Sequence, residues 1–197
     1  MSAVATHPAP PARKLRADGQ RNRDRLVEAA QASFVESGPD VSLEEIARRA
    51  GVGIGTLYRH FPTRDAIVQA VYLREVRQLA DGAARLLADQ PPGEALHQWM
   101  RLFVDYIATK KVIAQALAAI VGGAPDLYAA SGALITDAMS QLVARAVSAE
   151  EIRADADPKD LLRALIGFTY GNASPEWQAS ALRLIDILMD GLKSVRV

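Results

Sequence analysis

The segment SLEEIARRAGVGIGTLYRHFPTRDAI, Ser42 to Ile67, leaves the backbone few choices. Ser42 followed three residues later by Glu45 has the pattern of a capping box, so a helix starts there. Leu43, Ile46, Ala47 and Ala50 then fall at i, i+3, i+4 and i+7 and give it one apolar face. Gly51 stands where a left-handed residue stops such a helix, and only Gly51 to Gly53 precede the next helical run. In that run Leu57 and Phe61 form the buried side, with Val52 packing in from the turn, and Pro62 closes it by disfavouring helical geometry at Phe61. Thr63 caps a further helix, with Asp65 near its positive end. Two helices joined by so tight a turn make a helix-turn-helix.

With Val52, Leu57 and Phe61 inward, Ile54, Gly55, Thr56, Arg59 and His60 face outward, and Tyr58 sits at the margin. This set suits a DNA groove. Gly55 allows close approach, while Ile54 and the Thr56 methyl match a thymine methyl. Arg59 is able to pair with guanine or phosphate; Thr56, Tyr58 and His60 offer donors to phosphate, and Arg64 lies at a helix start, where an anion is favoured. Charge agrees in direction. The chain is neutral overall, but ten Lys and Arg stand against seven Asp and Glu through Arg64, leaving thirteen against sixteen beyond it.

Upstream, Leu26, Ala30 and Phe34 recur every four residues and mark a first helix from about Arg21, ended by SGPD. Residues 1–20, with Pro8, Pro10, Pro11, Arg13, Lys14 and Arg16, read as a mobile basic arm, either tracking DNA or a solvated tail. Arg48 and Arg49 either contact DNA or complement their helix dipole.

Downstream the period is helical throughout. Val68, Tyr72, Val76, Leu79, Ala83 and Leu86 extend the fourth helix to about Ala88. A fifth is expected over Ala95–Thr109, a sixth through Val112, Ile113, Leu117 and Ile120, and a seventh through Leu134 to Val143. Asp157-Pro158 and Ser174-Pro175 open two more. The expectation is an all-α chain of about nine helices.

Several classes are set aside. The chain has no cysteine, which excludes disulfides and thiolate chemistry. The first residues lack the apolar core of a signal peptide and no run is long enough to span a bilayer, so a cytoplasmic protein without a membrane role is expected. His7, His60 and His97 show no metal-ligand spacing, no phosphate-binding glycine loop runs into a lysine, and no nucleophile elbow occurs. No cofactor, metal or catalytic residue is therefore assigned, and His97 reads as a surface or satisfied residue.

SLEEIARRA followed by GVGIGTLYRHFPTRDAI resembles the DNA-binding domain of the TetR family of bacterial transcriptional regulators, over residues 21–68 with the motif at 42–61. The resemblance implies that the third helix enters the major groove. It also implies that Thr56, Tyr58 and His60 contact DNA and that Arg64 takes a phosphate. Position 53, often a capping serine in that family, is Gly53 here, which weakens the helix start by a few tenths of a kcal/mol. Residues 69–197 would then form an effector-binding and dimerisation domain, with the last two helices pairing two subunits through Leu161, Leu165, Phe168, Leu184 and Leu188. For the effector pocket, Trp99, Met100, Phe103, Tyr106, Ile107, Leu117, Met139 and Phe168 are the candidates, and their low polarity favours an uncharged, largely apolar ligand. The implied function is a homodimeric repressor on a pseudo-palindromic operator, released by that small molecule. The alternatives are an effector-independent activator or architectural DNA-binding protein and, more remotely, a helical enzyme acting on small molecules.

Overall fold

The computed structural model describes residues 12–118, 120, 125–171 and 174–193, and among these it is built of eight helices with no strand. By their internal contacts they divide after Ile67 into two compact units.

The first unit holds α1 (Ala12–Ser37), α2 (Leu43–Arg49), α3 (Ile54–His60) and the first turn of α4 (Arg64–Asp89). Leu26, Ala30 and Phe34 of α1 are buried against Ile46 and Ala47 of α2 and Leu57 of α3, so three amphipathic faces close one small core. Gly38, at φ 84°, ends α1, and its N–H bonds back to the Phe34 carbonyl at 2.9 Å. At the start of α2 the Ser42 hydroxyl accepts from the Glu45 N–H at 3.1 Å. Only half of the expected capping box is made, because the Glu45 carboxylate turns to the Arg48 guanidinium, at 2.5 and 2.9 Å. The hydroxyl still matters: Ser42→Ala is expected to cost the first unit about 1 kcal/mol in a denaturant titration.

The turn between α2 and α3 is a Schellman motif. Gly51 adopts φ 66°, its N–H reaches the Arg48 carbonyl at 3.1 Å, and the Val52 N–H reaches Ala47 at 3.0 Å. As expected, Gly53 caps α3 without a side-chain hydrogen bond. Thr63 caps α4, accepting from the Ala66 N–H at 3.1 Å.

One expectation for this region is revised, and Arg49 has a partner that the sequence did not announce. Helix α1 begins at Ala12, so residues 12–20 are helical rather than an arm, because nothing from Ala12 to Arg25 breaks a helix except one tolerated glycine; residues 1–11 lie outside the described residues. Arg49 is held by Glu36 of α1, at 2.5 and 2.7 Å.

The second unit contains the rest of α4 with α5 (Pro92–Ala118), α6 (Pro125–Ser148), α7 (Pro158–Tyr170) and α8 (Trp177–Leu192). The expected fifth and sixth helices are one. Nothing between Thr109 and Val112 breaks a helix, and Phe103, Ile107, Ile113 and Leu117 stay buried along it. This central helix packs on α6, α7 and α8, which explains its wide apolar arc. Lys111 ties the group together: its ammonium stands 3.6 Å over the Trp177 ring and donates to the Thr169 carbonyl at 2.5 Å. Asp157 caps α7 as expected, accepting from the Lys159 N–H at 2.7 Å, with Pro158 in the first turn.

Candidate nucleic-acid interface and small-molecule cavity

Helix α3 is seven residues long and anchored from within, since Leu57 and the following Phe61 are buried. Anchoring one side fixes what the other presents. Ile54, Gly55, Tyr58 and Arg59 are exposed, the isoleucine at 37% and the tyrosine at 46%, while Thr56 and His60 are half-buried. The side chain of Arg59 makes no hydrogen bond or ion pair among the described residues. One further contact steadies the base of the helix: the Arg23 guanidinium of α1 lies 5.1 Å from the centre of the Phe61 ring.

Gly55 has a specific meaning here. A Cβ built on it would meet nothing within 4 Å, and its φ is not left-handed, so neither packing nor backbone geometry in the protein itself demands glycine. Gly51, by contrast, is required by the turn.

Arg64, expected to take a phosphate, also has partners within the protein. Its Nη1 donates to the Pro39 carbonyl at 2.5 Å and its Nη2 to the Val41 carbonyl, so the guanidinium fastens the start of α4 to the loop between α1 and α2. A lysine could not bridge two carbonyls with a planar fork, and the arginine at this position was the available signal. Its remaining N–H groups are what it has left for an anion.

The second unit carries an open cavity of about 530 Å³ lined from α4, α5, α6 and α7, with Tyr128, Ile166 and Tyr170 exposed at its mouth. Of the pocket candidates, Phe103, Tyr106 and Ile107 line it. Trp99, Met100, Leu117 and Met139 do not: they are buried in the core beside it, and Trp99 donates its indole N–H to the Leu79 carbonyl at 2.8 Å. Phe168 is half-buried and also off the lining. The wall is completed by residues that were not among the pocket candidates, chiefly Tyr72, Lys110, Tyr128, Ile135, Thr136, Leu162, Ile166 and Tyr170.

The lining is mostly apolar, but among the described residues it holds one cation, Lys110. The Lys110 ammonium lies 6.0, 5.9 and 5.7 Å from the ring centres of Tyr72, Tyr106 and Tyr128. Burial, and the neighbouring Tyr72 hydroxyl, push the Tyr106 phenol far above its ordinary range and keep it protonated. Tyr170 is raised in the same direction, mainly by burial.

Of the five residues expected at a subunit interface, Leu161 and Leu165 are buried inside their own unit. They form the stripe of α7 that faces the core. The adjacent stripe, Ile166 and Tyr170, is exposed, as is Leu184 on α8, while Phe168 and Leu188 are half-buried. Ile187, which was not singled out, is the most exposed large apolar residue among the described residues, at 66%. As expected, His97 is a satisfied residue, with its Nε2 2.7 Å from an Asp186 oxygen. No helix among the described residues is long and apolar enough to cross a membrane.

Comparison with known proteins follows the same division of the chain. Residues 26–71 match the family model described as bacterial regulatory proteins, tetR family. Residues 91–194 match a second model, the C-terminal domain of SbtR-like transcriptional regulators. A TetR transcriptional regulator from Streptomyces coelicolor superposes with a TM-score of 0.80 at 45% identity, over 88% of this chain and 99% of that one. A second, from Mycobacterium vanbaalenii, gives 0.77 at 37% identity, over 91% and 99%. Among curated relatives, an HTH-type transcriptional regulator of Staphylococcus aureus (strain MRSA252) is 32% identical over 102 residues, half of each chain. The chain spans about half the length of the curated relatives it matches.

Proposed function

Because the chain belongs to the TetR family of bacterial transcriptional regulators, we propose that it is a sequence-specific DNA-binding regulator, not an enzyme, acting in the cytoplasm as a homodimeric repressor. The observation that carries this reading is α3, a helix fixed by Leu57 and Phe61 whose outer side offers Ile54, Gly55, Tyr58 and Arg59. Two such helices related by a two-fold axis read a pseudo-palindromic operator. Pairing of subunits through α7 and α8 is supported by their exposed apolar residues, Ile166, Tyr170, Leu184 and Ile187, which water solvates poorly.

The cavity supports regulation by a small molecule over the effector-independent alternative, since its volume lies within the roughly 300–1,000 Å³ typical of ligand sites. Tyr72 on its wall and Arg64 belong to the same helix, α4, about two turns apart. A ligand that shifts α4 at Tyr72 therefore moves the residue that fastens the loop ahead of α2. Couplings of this kind are worth about 1–3 kcal/mol, enough for a tenfold change in operator affinity.

The test is a titration of the full chain against labelled DNA from upstream of its own gene, with competitor DNA and a salt series. Saturable binding that survives competitor and weakens steeply with salt is expected. Tyr58→Ala is expected to weaken it about tenfold with unchanged thermal stability. Arg64→Ala is expected to weaken it and also to lower the melting temperature, because two carbonyls lose their donor. Full affinity in both variants would remove α3 and α4 from the interface.

A further inference from the structure

The chemistry of the cavity narrows what enters it. Its hydroxyls can both donate and accept, while its one charged group among the described residues, the Lys110 ammonium, only donates. Among the described residues, Lys110 is the single charged residue on the wall and no carboxylate lines it, and the tyrosines supply phenol hydroxyls, that of Tyr106 pushed far above its ordinary range by burial. Thr136 spends its own proton on the Gly132 carbonyl, at 2.8 Å. Among the described residues no carboxylate or carbonyl accepts from the Lys110 ammonium, whereas the adjacent Lys111 is committed to the Thr169 carbonyl and the Trp177 ring.

Three aromatic faces around a cavity would ordinarily suit a cationic ligand. Here that place is already taken, because the Lys110 ammonium lies within about 6 Å of all three ring centres and repels a second cation. The rest of the wall is apolar: Phe103, Ile107, Ile135, Leu162 and Ile166. A site whose one cation has no carboxylate partner among the described residues, with phenol hydroxyls beside it and a hydrocarbon remainder, is complementary to an amphipathic acid.

We propose that the effector is an organic monocarboxylate with an apolar body, its carboxylate on Lys110 and the neighbouring tyrosine hydroxyls and its body against the aliphatic wall. This rests on the reading of the cavity as the effector site and gives that site a ligand class. A charge-assisted hydrogen bond in partly dehydrated surroundings is about twice as strong as a neutral one, so the acid is favoured over any neutral relative of the same shape.

The test uses the full chain without DNA and reads thermal shifts and dissociation constants. The probes are straight-chain C6–C10 monocarboxylates and phenyl-substituted alkanoates, each paired with its primary amide. At least one acid is expected to raise the melting temperature and to bind about tenfold more tightly than its amide, a difference of roughly 1.4 kcal/mol. Lys110→Met is expected to abolish that preference and Lys110→Arg to keep part of it. Gly132→Phe, at a lining position where a Cβ meets nothing within 4 Å, is expected to block acids and amides alike. Amides that bind as well as their acids, or a preference that survives Lys110→Met, would overturn the monocarboxylate assignment and leave the effector cavity standing. Binding undiminished by Gly132→Phe, or no binding by any probe, would overturn the cavity reading together with this proposal.

Discussion

Gly55→Trp is expected to reduce operator affinity by at least about a hundredfold, close to 3 kcal/mol, while the protein stays folded. The two halves of that statement have separate grounds. Retention of the fold follows from the open space at Gly55, where an added Cβ has no neighbour within 4 Å, and from the ordinary backbone there. Loss of binding follows from where that space would lie in the complex. If the exposed side of α3 enters a major groove, an indole at its second residue holds the helix away from the base edges that Ile54 and Arg59 would read. Gly55→Ala is the companion variant. It is expected to stabilise α3 by about 0.5–1 kcal/mol, because alanine loses less backbone freedom than glycine in a helix. A circular dichroism melt and an operator titration on the three proteins check both statements. Gly55→Trp binding at full strength would mean that another surface meets the DNA.

The first unit was legible in sequence because its punctuation is local. Ser42, Gly51, Pro62 and Thr63 act through hydrogen bonds or steric conflicts within a few residues, and the structure shows caps and turns at those positions. The anchoring of Arg64 was not legible, for the opposite reason. Its partners, Pro39 and Val41, lie more than twenty residues back, and no local pattern announces them.

The second unit was legible only as a set of helices. On α5 the arc is apolar nearly all round, so spacing alone does not separate a core residue from a cavity wall. Trp99 and Phe103, one turn apart with rings 6.1 Å apart, have opposite fates. Lys110 was lost in a helix break that is not there, and with it the one charge of the cavity among the described residues. On α7 two apolar stripes lie side by side, one through Leu161 and Leu165 and one through Leu162, Ile166 and Tyr170. Only the packing against α5 and α8 decides which of them turns inward.

Trp99 supplies the sharpest test of that packing. Its side chain is fully buried and its indole nitrogen is satisfied by the Leu79 carbonyl, so it joins α5 to α4 both by volume and by a directed bond. Trp99→Ala is expected to cost the second unit about 3–5 kcal/mol, the usual range for removing a large aromatic from a core that relaxes only partly. For a chain of this size that lowers the melting transition by roughly 10 °C. Trp99→Phe keeps most of the ring volume and loses the hydrogen bond, and it is expected to cost about half as much. Because Trp99 is off the cavity wall, Trp99→Phe is expected to leave ligand affinity within about threefold of the parent, whereas Tyr106→Ala, on the wall, should weaken it well beyond that. Thermal denaturation and the ligand titration together separate the roles. Intact stability with lost affinity in Trp99→Phe would return Trp99 to the ligand site and contradict the arrangement of α4 and α5 described above.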